Sequence, residues 1–116
     1  MQHRYIQLDY LEKMAGGDPK TRREMLQMLA EELEKSGARL KTLREEQNQQ
    51  ELQWLCHHLK STLSFVGNEQ LAKTNKGLEQ LLQQKTDFEP LIPLLFQIEN
   101  LITKALQELL RELKRN

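Results

Sequence analysis

The sequence predicts an all-α protein, an up-down-up-down four-helix bundle preceded by a short N-terminal helix. Leu, Glu, Gln and Lys dominate the composition, and these residues lose little side-chain entropy in a helix. Apolar residues recur at helical rather than strand spacing. A length of 116 residues without a linker fits a single domain, residues 1–116, whose short connections make neighbouring helices antiparallel.

Four breaks divide the chain into helices. In the Gly-Gly-Asp-Pro run at 16–19, the glycines end one helix, the aspartate caps the next and the proline suits its first turn. At 67–68 a glycine closes a helix and an asparagine caps its successor. The polar stretch 45–50 and the segment 86–87 are weaker breaks. Pro93 is compatible with the last helix only near its first turn.

Between these breaks, each helix carries one apolar stripe. The short first helix carries Ile6, Leu8 and Leu11. The second carries Leu26, Leu29, Leu33, Leu40 and Leu43. The third carries Leu52, Leu55, Leu59, Leu63 and Val66, and the fourth Leu71, Leu78 and Leu82. The last carries Leu91, Leu94, Leu95, Ile98, Leu101, Ile102, Ala105, Leu109 and Leu113.

Composition and charge exclude several classes of function. The 17 basic and 17 acidic side chains cancel, whereas a nucleic-acid binder concentrates positive charge. The single Cys56 rules out a disulfide framework and a cysteine-based zinc site. No apolar run approaches the ~20 residues that span a bilayer, and no signal peptide is expected. We therefore expect a soluble, cytoplasmic, monomeric protein with neither a nucleic-acid nor a membrane partner.

The third helix presents one histidine away from its apolar stripe. At about 100° per residue, the leucines of this helix fall opposite His57, so the imidazole faces solvent. Polar or small side chains share its side of the helix, namely Gln50, Gln53, Lys60, Ser61 and Ser64. Small neighbours leave the ring open to a large partner. The simpler interpretation is that His57 is an ordinary surface histidine. The presence of Lys60, Ser61 and Ser64 on the same side of the helix argues against this interpretation.

This arrangement suits phosphoryl chemistry. An exposed imidazole is partly neutral at physiological pH and is then a nucleophile. Lys60, at i+3 from His57, is placed to stabilise the charge of a transferred phosphoryl group, with a hydrogen bond worth ~1.5–3 kcal/mol at best. The sequence has no Gly-rich phosphate loop and no GxxxxGK[ST] motif, so no ATP-dependent kinase activity is expected.

The segment 57–67, HHLKSTLSFVG, resembles the histidine phosphotransfer (HPt) domains of multistep two-component phosphorelays. Their signature reads H-x-[LIM]-K-G, with an apolar residue and a glycine nine and ten positions after the histidine. The chain matches it with His57, Leu59, Lys60, Val66 and Gly67. The stretches 11–19 and 77–79, together with Leu71, also resemble the corresponding parts of the family. Two positions depart from it: Ser61 stands where glycine is usual, and Cys56 where alanine is frequent.

The resemblance implies a phosphocarrier rather than an enzyme. His57 would accept a phosphoryl group from a receiver-domain aspartate through Nε2 and pass it to another, with Lys60 stabilising its charge. The partners implied are receiver domains of response regulators and of a hybrid histidine kinase. The domain would bind no cofactor itself, and Mg²⁺ would come from the receiver.

The partner is expected to dock over the face that carries His57. The predicted docking residues are Gln50, Gln53, Trp54, Ser61, Ser64 and Gly67. Trp54 is either a docking anchor or a wedge between helices, whereas Phe65 is read as a wedge. His58 is interpreted as a surface or structural residue, and the less favoured alternative is that it accepts the phosphoryl group in place of His57. Ile6 and Leu8, on the short first helix, are candidates for the docking surface.

Four alternatives bear on this prediction. A pseudo-HPt module would bind a receiver or another partner without carrying phosphate, and Ser61 keeps that alternative open. A plain helical interaction module would have no phosphate chemistry at all. A di-iron bundle is excluded because Glu-x-x-His pairs are absent, and the adjacent residues 56–58 point about 100° apart on a helix and cannot share a metal ion.

Overall fold

The computed structural model describes residues 4–115 and confirms the predicted all-α bundle. A short helix α1 (Asp9–Ala15) precedes the long helices α2 (Pro19–Glu46), α3 (Gln49–Val66), α4 (Glu69–Gln83) and α5 (Ile92–Arg115). A 3₁₀ turn, Glu89–Leu91, leads into α5.

The four long helices form a closed bundle. Helix α2 packs against α3 and α5, and α4 packs against the same two helices from the other side. Because consecutive helices are neighbours joined by short connections, they run antiparallel in the predicted up-down-up-down order. Helix α1 contacts α2 and α3. The predicted apolar stripes face the shared core, in which Leu94 and Leu113 are half-buried and the other stripe residues are buried.

The helix ends lie at the predicted breaks. Gly16 ends α1 in the left-handed conformation, and the carboxylate of Asp18 caps α2, which begins at Pro19. The side chains of Asn48 and Asn68 cap α3 and α4 in the same way, each accepting a backbone N–H. These caps set where α3 begins and where it gives way to α4, the two helices that carry the functional side chains.

The segment before α1 is bound to the bundle by hydrogen bonds to distant parts of the chain. The N–H of Gln7 donates to the carbonyl of Val66 over 2.8 Å. The side-chain amide of Asn68 donates to the carbonyl of Tyr5 over 3.0 Å. The N–H of Tyr5 donates to the Glu108 carboxylate of α5 over 2.8 Å. The N-terminal segment therefore closes the end of the bundle at which α3 finishes.

The structure contradicts the sequence-based expectations for three residues, Ile6, Leu8 and Leu91. Ile6 and Leu8 precede α1 instead of lying on it, and they are buried, so they do not join an external docking surface. The backbone hydrogen bonds of the N-terminal segment turn these side chains into the core. Leu91 belongs to the 3₁₀ turn rather than to the last helix, whereas Pro93 is the second residue of α5, within its first turn.

None of the helices within residues 4–115 combines the length and apolar character that crossing a membrane requires.

Candidate functional site

His57 lies in the middle of α3 with its imidazole at the surface. About 66% of its side chain is exposed, whereas Leu55 and Leu59 on the opposite side of the helix are buried. The predicted orientation of this histidine is therefore correct. A rigid, well-packed helix holds the ring where a large molecule can reach it.

The carboxylate of Glu79 joins His57 to Lys60. Glu79 lies on α4, and its side chain is only 7% exposed. Its Oε2 lies 3.1 Å from Nδ1 of His57, and its Oε1 lies 2.9 Å from Nζ of Lys60. The two residues that the sequence singles out on α3 are thus both bound to one acidic side chain from the neighbouring helix.

The packing of α4 against α3 places Glu79 at this position. Leu78 and Leu82 of α4 are buried in the core, and Glu79 lies beside them at the edge of the α3–α4 contact. One turn earlier, the side-chain amide of Asn75 donates to the carbonyl of Cys56 over 2.8 Å. This bond fixes the position of α4 along α3, at the residue before His57.

Glu79 is ionised, although it is largely buried. The hydrogen bond from Lys60 is the largest influence and holds the pKa of this carboxyl below its ordinary value. Burial opposes that effect, and the hydrogen bond to His57 adds to it. An ionised carboxylate can only accept hydrogen bonds, so Nδ1 of His57 carries the hydrogen in this contact. The lone pair of the neutral ring is then on Nε2.

Nε2 is the atom of His57 that is free to react. It forms no hydrogen bond within residues 4–115, and the ring to which it belongs is mostly exposed. A neutral imidazole with one nitrogen anchored and the other presented to solvent is an oriented nucleophile. The exposure of the ring leaves this nitrogen accessible to a second macromolecule.

A family model and a solved structure both match this chain. The model of the Hpt domain covers residues 24–115. The chain belongs to the Hpt domain family. The crystal structure of the HPT domain from the Hpt sensor hybrid histidine kinase from Shewanella has a similar fold, with a TM-score of 0.82, 20% sequence identity, and coverage of 97% of this chain and 96% of that one. No match to a curated protein was found.

Family membership supplies the general role of the domain. Hpt domains are the phosphotransfer domains of phosphorelays, and they are phosphocarriers rather than kinases. Family membership likewise indicates that the domain interacts with phosphorelay partners.

Three of the predicted docking residues of this Hpt domain surround one side of His57. Gln50, Gln53 and Trp54 line a shallow hollow of about 380 Å³ together with His57 and Glu79. Trp54 is 59% exposed, so it is not a wedge between helices. Its role as a docking anchor stays a prediction.

The ring of Trp54 stacks on that of His58. The ring centroids lie 3.8 Å apart, and Nδ1 of His58 donates to the carbonyl of Trp54 over 2.8 Å. His58 is thereby fixed along the helix surface, which agrees with its reading as a surface residue. This pairing was not predicted, although a spacing of four residues on a helix favours such contacts.

Ser61 and Ser64 lie on the other side of the histidine. Both are exposed, and Ser64 donates its hydroxyl hydrogen to the carbonyl of Lys60 over 3.0 Å. Ser61 lies at the rim of an apolar groove of about 230 Å³ between α2, α3 and α1. Apolar side chains line this groove, namely Leu11, Met25, Met28, Leu29 and Phe65. Phe65 is half-buried there and lies 5.1 Å from the Tyr10 ring, as a packing residue would.

Gly67 has a structural role at the end of α3. Its φ of +73° is left-handed, and a Cβ at this position would overlap the carbonyl oxygen of Gln7. The glycine of the family signature thus allows the N-terminal segment to cross the end of α3. Its participation in partner docking stays a prediction.

Cys56, the other departure from the family pattern, points into the core. Burial raises the pKa of its thiol to about 12, so the thiol is unreactive at neutral pH. Residues 4–115 contain no cluster of His, Cys, Asp and Glu side chains that could hold a metal ion.

Proposed function

We propose that His57 carries a phosphoryl group between the aspartates of receiver domains in two-component signal transduction. The observation that carries the proposal is the anchoring of Nδ1 to the buried Glu79 carboxylate, which leaves Nε2 as an exposed nucleophile. The histidine also stands at the acceptor position of the Hpt signature, and the family model covers it. Both observations support His57 as the acceptor, and the contact with Glu79 supports Nε2 as its reacting atom.

The transfer depends on positioning and on charge. Nε2 attacks the phosphorus of an aspartyl phosphate in line with the departing carboxylate, and the bundle fixes the direction of its lone pair. We expect the Mg²⁺ that neutralises the phosphoryl oxygens to be bound by the receiver, and we assign no ligand for it in this chain.

Lys60 is the residue that would stabilise the phosphoryl group on His57. Its ammonium donates to Glu79, and 55% of its side chain is exposed. An ammonium has three hydrogens, so it can keep the Glu79 contact and also donate to a phosphoryl oxygen. The role that the sequence suggests for Lys60 is compatible with its observed ion pair.

The apolar groove and the hollow flank the histidine and offer a receiver two kinds of contact. The groove presents methionine and aromatic side chains, which are enriched at protein interfaces. The hollow presents the exposed Trp54 with the amides of Gln50 and Gln53. A receiver that spans both would cover His57 and exclude water from the transferred group.

Intact-mass measurement after mixing with a phosphorylated receiver domain and Mg²⁺ tests this proposal. We expect an acid-labile gain of one phosphoryl group, which is absent in His57→Gln and present in His58→Gln. His57 is solvent-facing, so His57→Gln keeps the bundle folded, as circular dichroism would verify. If no member of a broad panel of receivers labels the wild type, the domain is a docking module of the pseudo-HPt kind.

A further inference from the structure

Glu79 is a buried, ionised side chain bound to the atom of the His57 ring opposite the reactive one. We propose that Glu79 is a positioning residue that keeps a proton on Nδ1 throughout the transfer cycle, so that the phosphorylated ring stays in its labile, protonated form. This inference rests on the proposed function of His57 and concerns the lifetime of its phosphoryl group. Glu79 would make the domain a carrier that releases phosphate readily rather than one that stores it.

The proton on Nδ1 decides how easily the phosphoryl group departs. In the loading step, the Nε2 lone pair forms the N–P bond while the P–O bond of the aspartyl phosphate breaks, and its electron pair leaves on the carboxylate. No proton moves, because Nδ1 already carries one and Nε2 carries none. In the unloading step, the N–P bond breaks and its electrons return to Nε2, so a neutral imidazole leaves.

A phosphorylated ring without the Nδ1 proton behaves differently. Breaking the N–P bond would then release an imidazolate anion, a much poorer leaving group, and the phosphoryl group would persist. The phosphorylated, protonated ring is cationic, and Oε2 of Glu79 lies 3.1 Å from its Nδ1. An opposite charge at this distance stabilises the protonated form, and the low exposure of the carboxylate limits screening by solvent.

The other charged groups around the ring do not perform this role. Lys60, on the same helix, is a cation that disfavours a second positive charge, and its ammonium is neutralised by Glu79. The His58 ring lies edge-on with its centroid 5.6 Å away, and its Nδ1 donates to the backbone. Glu51 also lines the hollow, and its carboxylate lies 3.8 Å from the guanidinium of Arg39. From α4, Glu79 is the carboxylate bonded to Nδ1.

The experiment measures the pH dependence of phosphohistidine hydrolysis in wild type and Glu79→Gln, each loaded with phosphoramidate so that no receiver is needed. Glutamine has nearly the same shape and can still accept the Nδ1 hydrogen, but it lacks the charge. We expect rapid hydrolysis to persist to a pH about one unit higher in the wild type than in Glu79→Gln. Near pH 8 the variant should therefore keep its phosphoryl group about tenfold longer than the wild type. Superimposable pH profiles would overturn the inference.

Lys60→Gln is the matched control, because Glu79→Gln also releases the Lys60 ammonium. Lys60→Gln removes that ammonium and leaves the Glu79 carboxylate in contact with Nδ1 of His57. The pH profile of phosphohistidine hydrolysis in this control should not shift to lower pH. We also expect the slow hydrolysis of Glu79→Gln to remain in the double variant with Lys60→Gln. If the double variant regains wild-type lability, the released lysine explains the effect and Glu79 has no such role.

Imidazole ¹⁵N NMR of the unphosphorylated wild type gives a second measurement that does not depend on a variant folding. We expect the Nδ1–H tautomer of His57 to predominate, and a predominant Nε2–H tautomer would refute the inference. The relay proposal fails separately: if phosphoramidate labels His57 and no receiver does, the inference is still decided by the pH profiles. If phosphoramidate does not label His57 either, both ideas are wrong.

Discussion

The side-chain amide of Asn75 donates a hydrogen bond of 2.8 Å to the backbone carbonyl of Cys56, the residue immediately before His57. The amide belongs to α4 and the carbonyl to α3, so this bond joins the two helices at the level of the histidine. Glu79 follows Asn75 by one turn of α4. The bond therefore sets the height at which the Glu79 carboxylate meets the His57 ring.

Asn75→Ala should lower the free energy of unfolding by about 1–2 kcal/mol. The loss is modest because the substitution also removes Oδ1, a buried oxygen that has no hydrogen-bond partner in residues 4–115. Urea unfolding at neutral pH measures the change, with the exposed Gln80→Ala on the same helix as a control. A loss of stability no larger than that of the control would show that the Asn75 bond does not hold the two helices together.

Gly67→Ala should destabilise the domain by about 1–3 kcal/mol. The added methyl group would overlap the carbonyl oxygen of Gln7, and the alanine backbone would have to keep a positive φ. The hydrogen bond from Gln7 N–H to the carbonyl of Val66 should break as the N-terminal segment moves away. Thermal unfolding gives the stability, and hydrogen exchange of the Gln7 amide reports the displacement.

Gly77→Ala provides the matched control for that prediction. Gly77 lies inside α4, and a Cβ there meets nothing within 4 Å. Alanine in a helix interior is favoured over glycine by roughly 0.5–1 kcal/mol, so this variant should be more stable than the wild type. The same substitution at two glycines should thus have opposite signs. Equal effects would contradict the contact between Gly67 and the N-terminal segment.

Acid should destabilise the wild type partly through Glu79. The hydrogen bond from Lys60, with a smaller contribution from His57, holds the pKa of this carboxyl below its ordinary value of 4.5 against the effect of burial. A carboxyl whose pKa is lower in the folded state stabilises the fold fully above the unfolded value, and this stabilisation is lost as the pH falls through the folded value. Stability should therefore decline below about pH 4.5.

Glu79→Gln should flatten this acid dependence, since the amide does not titrate. Urea midpoints measured from pH 7 down to about pH 3 give the two curves, and Glu31→Gln, an exposed residue of α2, shows the effect of removing one negative charge elsewhere. If wild type and Glu79→Gln lose stability in parallel, the ionised Glu79 is not part of what holds α3 and α4 together.

The helices and their ends were predictable because they depend on local sequence. The caps at Asp18 and Asn68 and the left-handed glycines at 16 and 67 act within a few residues of their own positions. The outward direction of His57 followed from the helical repeat alone. The burial of Ile6 and Leu8 did not, because it depends on hydrogen bonds from the N-terminal segment to the end of α3 and to Glu108 of α5, which are distant in sequence.

Glu79 was missed because its role depends on how two helices are rotated against each other. The sequence indicates that α4 buries Leu78 and Leu82, and Glu79 sits beside that stripe as an acidic residue turned partly inward. A buried carboxylate needs a hydrogen-bond or charge partner, so the position of Glu79 beside the apolar stripe was the signal that could have identified it as part of the site. The partners themselves, His57 and Lys60, lie on another helix, and only the packing of α3 on α4 identifies them.

Lys60→Ala should slow phosphoryl transfer several-fold, the loss expected from one solvent-screened charge-assisted hydrogen bond. The rate of loading from a phosphorylated receiver measures it, and Lys73→Ala removes an exposed lysine of α4 as a control for net charge. Nδ1 of His57 keeps its contact with Glu79 in the variant, so labelling should slow and not disappear. A normal rate would mean that Lys60 serves only to balance Glu79.

Met28→Lys should weaken receiver binding about tenfold, because it places a charge in the apolar groove beside Ser61. Met28 is 65% exposed, so the fold should tolerate the change. Leu110→Lys is the matched control, an exposed apolar residue of α5 that does not line the groove. Titration calorimetry with one receiver gives both affinities. If the two variants bind equally well, the receiver docks without using the groove, and the hollow around Trp54 remains as its main contact.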